Sequence, residues 1–173
     1  NTESIIRWDE DWPTFYDPAV GTDSSDTMTM VNIHDSLVFP TDEGGIKPHI
    51  AKDWSVSDDG LTWTFNLRDD VKFHNGELLK ASDVVFSFNR LMTIGEGLSY
   101  LFQKKDETGK IVEGVESVTA LDDHTVQFKL VKPFGPFLQA LVRLYIVSEK
   151  AIMDNIDKTS TAYGEFGDYG KKW

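Results

Sequence analysis

The amino-acid sequence predicts an α/β fold in which a mixed, mainly antiparallel sheet packs against helices. Residues 54–67 and 115–130 each indicate two strands joined by a tight turn, because apolar and polar side chains alternate along them. Residues 25–38 and 81–93 instead repeat apolar side chains with the 3.6-residue period of an amphipathic helix. Hairpins with helices between them favour layers of sheet and helix around one core.

The N-terminal region is expected to start with a short β-prone strand at residues 4–8, followed by an acidic, turn-rich stretch. The first predicted helix covers about residues 25–38, with Ser24 or Ser25 as its N-cap. His34 lies on the apolar face of this helix. We therefore expect a core histidine with a satisfied ring nitrogen at this position.

The turns of both predicted hairpins contain paired acids. Asp58 and Asp59 precede Gly60, and Asp122 and Asp123 join the strands of the second hairpin. Aspartate is common in turns because its side chain bonds to nearby backbone N–H groups. A catalytic pair needs two carboxyl groups that converge across a cleft, so these neighbouring acids are interpreted as turn residues.

Shorter elements follow each hairpin. We expect a short strand at residues 71–73, a short helix at 137–142, a strand at 144–147 and a helical turn at 151–153 that begins at Ser148. The side chains of Trp54, Trp63 and Phe65 are expected in the core.

Composition excludes several classes of function. The chain of 173 residues has 17 basic and 29 acidic side chains, for a formal net charge of −12, so nucleic acid is a poor partner. It has no cysteine, which excludes disulfides and thiolate chemistry. Its four histidines lack the spacing of a metal site, and the sequence contains no catalytic motif. We therefore predict no catalytic residue, no metal and no cofactor.

One polar segment is a candidate binding site. Thr22, Asp23, Ser24, Ser25 and Asp26 lead into the first predicted helix. A helix N-terminus offers free backbone N–H groups, and the hydroxyls add further donors for a polar ligand. Ordinary helix capping explains the same residues equally well, so both interpretations stay open at this point.

The middle of the chain carries a longer and more specific pattern. It comprises PHIAKDWSVSDDGLTWTFNLR at residues 48–68, VKFHNG at 71–76 and ASDVVFSF at 81–88. The pattern closely resembles the family 5 extracellular solute-binding proteins, the peptide- and nickel-type receptors of ABC importers. Asp17-Pro18 upstream and residues 120–126 downstream continue the resemblance. Lys80 departs from it, because the family usually has a threonine or serine cap there.

The resemblance implies a fold and a division of the chain. It implies part of lobe one of a class II (cluster C) periplasmic-binding-protein fold, with the second lobe missing, so that the chain is an N-terminal fragment. Residues 1–44 would begin lobe one with the first strand and helix, 45–155 would form an inserted α/β subdomain, and 156–173 a returning loop. We expect residues 1–20 and 155–173 to be poorly packed or to pair with another chain.

The resemblance also implies a function without covalent chemistry. A small solute would bind between two lobes outside the cytoplasm, in the periplasm or on the cell surface as a lipoprotein, and the closed receptor would be recognised by an ABC permease. The solute would be a peptide by default; nickel complexes, haem, opines and oligosaccharides are further family ligands. The alternatives are a fragment of a glycoside hydrolase with a carboxylate pair and a stand-alone β-rich interaction module.

The resemblance places the ligand on the segment from Thr22 to Asp26. Asp23 or Asp26 would attract a positive group such as a peptide amino terminus. Tyr100, in a glycine-flanked loop, would stack on the ligand.

Overall fold

A computed structural model of the chain describes residues 12–156 and residue 166. The predicted strand at residues 4–8 and most of the predicted C-terminal loop lie outside the described residues. The helices are α1 (Ser24–Ile33), α2 (Ala81–Ile94), α3 (Phe137–Leu141) and α4 (Glu149–Asn155). The strands are β1 (Val38–Pro40), β2 (Ile46–Pro48), β3 (Ala51–Val56), β4 (Thr62–Leu67), β5 (Gln103–Lys105), β6 (Ile111–Asp122) and β7 (Thr125–Leu130).

The centre of the structure is a five-stranded sheet with the order β3-β4-β7-β6-β5. All its neighbouring strands are antiparallel, and a separate antiparallel pair joins β1 to β2. This arrangement confirms the predicted mixed, mainly antiparallel α/β fold and both predicted hairpins. Alternation along β4 sets the register, since Trp63 lies opposite Phe128 and Phe65 opposite Val126.

One acid of each pair serves the turn in which it was predicted, while the Asp123 side chain accepts a bond from Lys80 Nζ. Asp59 Oδ1 accepts bonds from Ser57 Oγ at 2.5 Å and from the Leu61 amide at 3.0 Å, and these bonds lower the pKa of Asp59. Asp122 Oδ1 accepts from the His124 amide at 2.8 Å, and this bond is the main cause that lowers the pKa of Asp122. Both carboxylates therefore stabilise local turns.

The core lies between the sheet and α2. The rings of Phe65, Phe128 and Phe137 pack edge to face, and Phe88 of α2 makes a similar contact with Phe128. Phe65 is fully buried, as predicted, whereas Trp54 and Trp63 are partly buried against this core.

Helix α1 is shorter than predicted. The predicted helix continued to residue 38, but α1 ends at Ile33, and His34 is its C-cap in an extended conformation. Leu37 and Val38 are fully buried although they lie outside the helix. Val38 belongs to β1 and lies opposite Pro48 of β2. Leu37 and Val38 continue the apolar spacing of the helix although they lie beyond its end, and this spacing led to the wrong helix boundary.

Helix α2 closely matches its predicted range, and its N-terminus has an alternative to the missing side-chain cap at Lys80. Asp83 Oδ2 accepts from the Lys80 amide at 2.9 Å, and Asp83 Oδ1 accepts from the Glu149 amide at 3.0 Å. The second bond joins the N-termini of α2 and α4. Burial raises the pKa of Asp83.

The short segments that follow the two hairpins differ from the predictions in part. The predicted strand at residues 144–147 is not a strand: Tyr145 forms a single bridge with Ser36, and the Ile146 amide donates to the Asp35 carbonyl. Ser148 begins a helix as predicted, since its Oγ accepts from the Ala151 amide at 3.1 Å, although α4 is longer than one turn. The predicted strand at 71–73 is reduced to one bridge, between Lys72 and Leu78.

The expected loose packing near the N-terminus is wrong for residues 17–20. Asp17, Ala19 and Val20 are buried within this chain. At the other end, the Phe166 ring packs edge to face on Phe86. No helix among residues 12–156 has the length and apolar character needed to cross a membrane.

His34 is partly buried at the C-cap of α1, and not fully in the core as predicted. Its surroundings predict that the stability of the fold depends on pH. Burial is the main cause that lowers its pKa and nearby His74 adds to it, while a bond to the Tyr16 backbone and the charges of Asp17 and Asp35 oppose the shift. The unfolded chain therefore takes up a proton near pH 6.5, before the folded chain does. We expect the free energy of unfolding to fall as the pH drops below about 6.5.

Urea unfolding at pH 7.5, 6.5 and 5.5 tests this expectation. His34→Gln should show a smaller loss of stability between the first and last pH than the wild type, and His124→Gln, at an exposed position, should behave like the wild type. If the wild type and His34→Gln lose equal free energy of unfolding between pH 7.5 and 5.5, His34 is not the source of the pH dependence.

Candidate functional site

The candidate segment forms the N-terminus of α1. The N-cap is Asp23, so the predicted cap at Ser24 or Ser25 is wrong, because both serines already lie within the helix. Asp23 Oδ1 accepts from the Asp26 amide at 2.7 Å and from Ser25 Oγ at 2.6 Å. The bond from Ser25, followed by the bond from the Asp26 amide, lowers the pKa of Asp23. Asp23 is also exposed. It therefore combines the capping role with a negative charge that faces solvent.

Asp26 has a different environment, because only 1% of its surface is exposed. Its Oδ1 accepts from the Thr14 and Phe15 amides at 2.8 and 2.9 Å, and its Oδ2 accepts from the Thr22 amide at 3.2 Å. The carboxylate thus ties two stretches of backbone together. This is a structural role, and the expected contact of Asp26 with a ligand stays a prediction.

The remaining residues of the segment also divide into exposed and buried ones. Thr22 and Ser24 are exposed, whereas Ser25 is buried and its hydroxyl bonds to Asp23 and, at 3.5 Å, to the Trp12 carbonyl. Thr22, Asp23 and Ser24 therefore form the accessible part of the candidate site.

The segment is supported by a turn at residues 17–21, which we call the anchor turn. The Asp17 carbonyl accepts from the Val20 and Gly21 amides, both at 3.0 Å. At Gly21 a Cβ atom would lie 2.2 Å from Met30 Cε and 2.9 Å from Asp26 Oδ2. The chain can pass between these side chains because position 21 has no side chain.

A buried ion pair joins the anchor turn to α2. Arg90 Nη1 and Nη2 donate to the two oxygens of Asp17 at 2.7 and 2.6 Å. Exposure of the two side chains is 1% and 2%. Sequence reasoning found Asp17 only as part of the family pattern and missed Arg90.

Arg90 belongs to a polar stripe on α2 that also contains Asp83 and Ser87. All three residues are buried. Ser87 Oγ accepts from the Val147 amide at 2.9 Å, while Asp83 bonds to Glu149 and Arg90 to Asp17. Such a stripe looks like a solvent-facing surface in the sequence, so hydropathy carries no signal for its role.

Tyr100 lies in a short 3-10 turn, Ser99–Leu101, and 68% of its surface is exposed. The same loop meets the anchor turn at Gly97, where a Cβ atom would lie 2.8 Å from the Ala19 carbonyl oxygen. The structure therefore brings the loop of Tyr100 against the turn that supports the candidate segment.

Two residues with exposed aromatic side chains contact the segment through their backbone, which sequence reasoning missed. Trp12 is 87% exposed and Phe15 is 44% exposed. The Trp12 carbonyl faces Ser25 Oγ, and the Phe15 amide bonds to Asp26. Two residues with exposed rings are thus bonded through their backbone to the segment that contains Asp23.

A cavity of about 220 Å³ lies at the other end of α1. Its lining includes Ile33, His34, His74 and Ile146, and none of the predicted site residues. Among the described residues, no group of three or more histidines and carboxylates is placed to hold a metal ion.

Comparison with known proteins identifies relatives of this chain. The family description "Bacterial extracellular solute-binding proteins, family 5 Middle" matches residues 45–169. The chain is 36% identical over 134 residues to the "Probable D,D-dipeptide-binding periplasmic protein DdpA" of Escherichia coli (strain K12), covering 75% of this chain and 24% of that protein. It is 34% identical over 109 residues to the nickel-binding periplasmic protein of the same organism, covering 63% and 19%.

Solved structures include similar folds. The periplasmic binding protein DppA from Helicobacter pylori, in complex with the peptide STSA, has a TM-score of 0.68 and 28% identity to this chain. The similarity covers 88% of this chain and 32% of that structure. The chain thus spans about a fifth to a third of the length of such proteins. On the match over residues 45–169, the chain belongs to family 5 of the bacterial extracellular solute-binding proteins.

Proposed function

We propose that this chain is part of the extracytoplasmic substrate-binding component of an ABC importer, and that it contributes one wall of the ligand site. The observation that carries the proposal is the exposed, ionised Asp23, fixed on a supported turn in a chain of this family. The proposed role requires reversible binding and no covalent chemistry, so we propose that the protein is not an enzyme.

The proposed ligand is a short peptide that binds through its amino terminus. An ammonium group is attracted by the Asp23 carboxylate, while Thr22 and Ser24 offer hydroxyl groups to the peptide backbone. The exposed rings of Trp12, Phe15 and Tyr100 provide apolar surface for side chains without selecting one of them. The names of two relatives support this choice. DdpA is named as a probable D,D-dipeptide-binding protein, and the DppA structure contains a bound peptide.

The proposed mechanism is closure of two lobes around the ligand. Residues 1–44 would begin the first lobe, 45–155 would form its inserted subdomain, and 156–173 would return towards the remainder of that lobe. Ligand contacts from both lobes stabilise the closed form, which an ABC permease in the membrane recognises. We place the protein in the periplasm, or on the cell surface with a lipid anchor.

Ligand titration of the full-length protein tests the proposal. Calorimetry with L-alanyl-L-alanine should give saturable binding, and N-acetylation of the dipeptide should abolish most of it because the positive charge is lost. A nickel–histidine complex and a maltooligosaccharide serve as comparison ligands. Binding of either one in place of dipeptides would refute the peptide assignment.

Asp23→Asn separates the charge of Asp23 from its capping role. Asparagine caps helices about as well as aspartate, so the melting temperature should change little. The dissociation constant for L-alanyl-L-alanine should rise several-fold, because the attraction for the amino terminus is lost. Unchanged affinity would leave Asp23 with only the capping role.

Asp26→Asn is the matched comparison within the same turn of helix. Asparagine keeps one oxygen acceptor and turns an NH2 group towards at least one of the three backbone amides that now donate to Asp26. We therefore expect a loss of about 1–3 kcal/mol in the free energy of unfolding. Urea unfolding measures this loss. A stability equal to that of the wild type would contradict the structural role of Asp26.

A further inference from the structure

We propose that Arg90 is a positioning residue for the ligand segment. Through Asp17, its guanidinium group fixes the anchor turn, and the anchor turn fixes the backbone at Thr22 and Asp23. The consequence for ligand affinity rests on the proposed function. The positioning of the backbone rests on the contacts alone.

The first step is the fixed position of the guanidinium group. Arg90 lies on α2 between Phe88 and Leu91, both of which are buried in the core. Its two parallel bonds to Asp17 restrict both the direction and the distance of the carboxylate, which a single bond to lysine does not do. The core therefore determines where Asp17 lies.

The second step carries this constraint into the backbone. Asp17 Oδ1, which bonds to Arg90, also accepts from the Ala19 amide at 2.9 Å. The carbonyl of Asp17 accepts from the Val20 and Gly21 amides. One residue thus receives the guanidinium group and closes the anchor turn.

The third step leads from the turn to the candidate site. Gly21 passes between Met30 and Asp26 with no space for a side chain. The next amide, that of Thr22, donates to Asp26 Oδ2 at 3.2 Å. A shift of the anchor turn must therefore also move Thr22 or break this bond.

A second contact from the same helix supports the coupling. Gly95 ends α2 in a left-handed conformation, and Gly97 follows in close approach to Ala19. The anchor turn is therefore held at two points: Arg90 of α2 forms an ion pair with Asp17, and Gly97 just after α2 packs against Ala19. The ligand segment should follow the position of α2 when the receptor opens and closes.

Amide hydrogen exchange in the full-length protein, without ligand, distinguishes positioning from general stability. In Arg90→Lys the charge remains but the paired bonds are lost, so amides 19–22 should exchange about tenfold faster or more. Val84→Ala is the control, because Val84 is buried on the same helix and has no bond to Asp17. It should leave these amides within about twofold of the wild type.

Two results would overturn the proposal. In the first, amides 19–22 of Arg90→Lys exchange as slowly as in the wild type. In the second, Val84→Ala speeds their exchange as much as Arg90→Lys does. If Arg90→Lys does not fold, Asp17→Asn replaces it, since asparagine keeps the shape and an oxygen acceptor but loses the charge. The same outcomes apply to Asp17→Asn.

Titration with L-alanyl-L-alanine adds the functional measurement. The dissociation constant should rise about tenfold in Arg90→Lys and stay unchanged in Val84→Ala, at a temperature where both remain folded. Faster exchange with unchanged affinity would refute the link to the ligand site. Absence of dipeptide binding by the wild type would refute the proposed ligand, while the exchange result would still decide the positioning role.

Discussion

The buried ion pair between Asp17 and Arg90 is the constraint on which the N-terminal part of the structure depends. Both side chains are almost fully removed from water, so either charge alone would be costly in the folded state. The two parallel bonds offset this cost only when the anchor turn lies at one position against α2. A loop without regular secondary structure thus acquires a defined place beside the core.

The same principle operates along the whole polar stripe of α2. Asp83, Ser87 and Arg90 each bond to a different segment, namely the start of α4, the stretch before it and the anchor turn. Buried polar groups need hydrogen-bond partners of defined geometry, whereas the hydrophobic effect has no preferred direction. One face of α2 therefore supplies packing and the other fixes orientation. The proposed ligand segment depends on the second face.

Much of the fold could be predicted because the relevant signals are local. Alternation along β4 and β7, and the 3.6-residue period of α2, follow from contact with one buried surface each. The turn acids Asp59 and Asp122 were also interpretable, since their bonds reach only two residues along the chain. The predicted end of α1 was wrong because Leu37 and Val38 are buried outside the helix. The spacing of apolar residues cannot distinguish a residue buried on a helix face from one buried in a strand or bend.

The sequence by itself determined the hairpins, the range of α2 and the family pattern, which depend on neighbours a few residues apart or on a continuous motif. It indicated where α1 begins but assigned the N-cap to Ser24 or Ser25 instead of Asp23. Only the tertiary structure decided that Asp26 is buried while Asp23 is exposed, although the two acids are three residues apart. It also decided that Arg90 bonds to Asp17, 73 positions away. Charge and polarity are visible in a sequence, but the partner of a buried charge is set by how distant segments meet in three dimensions.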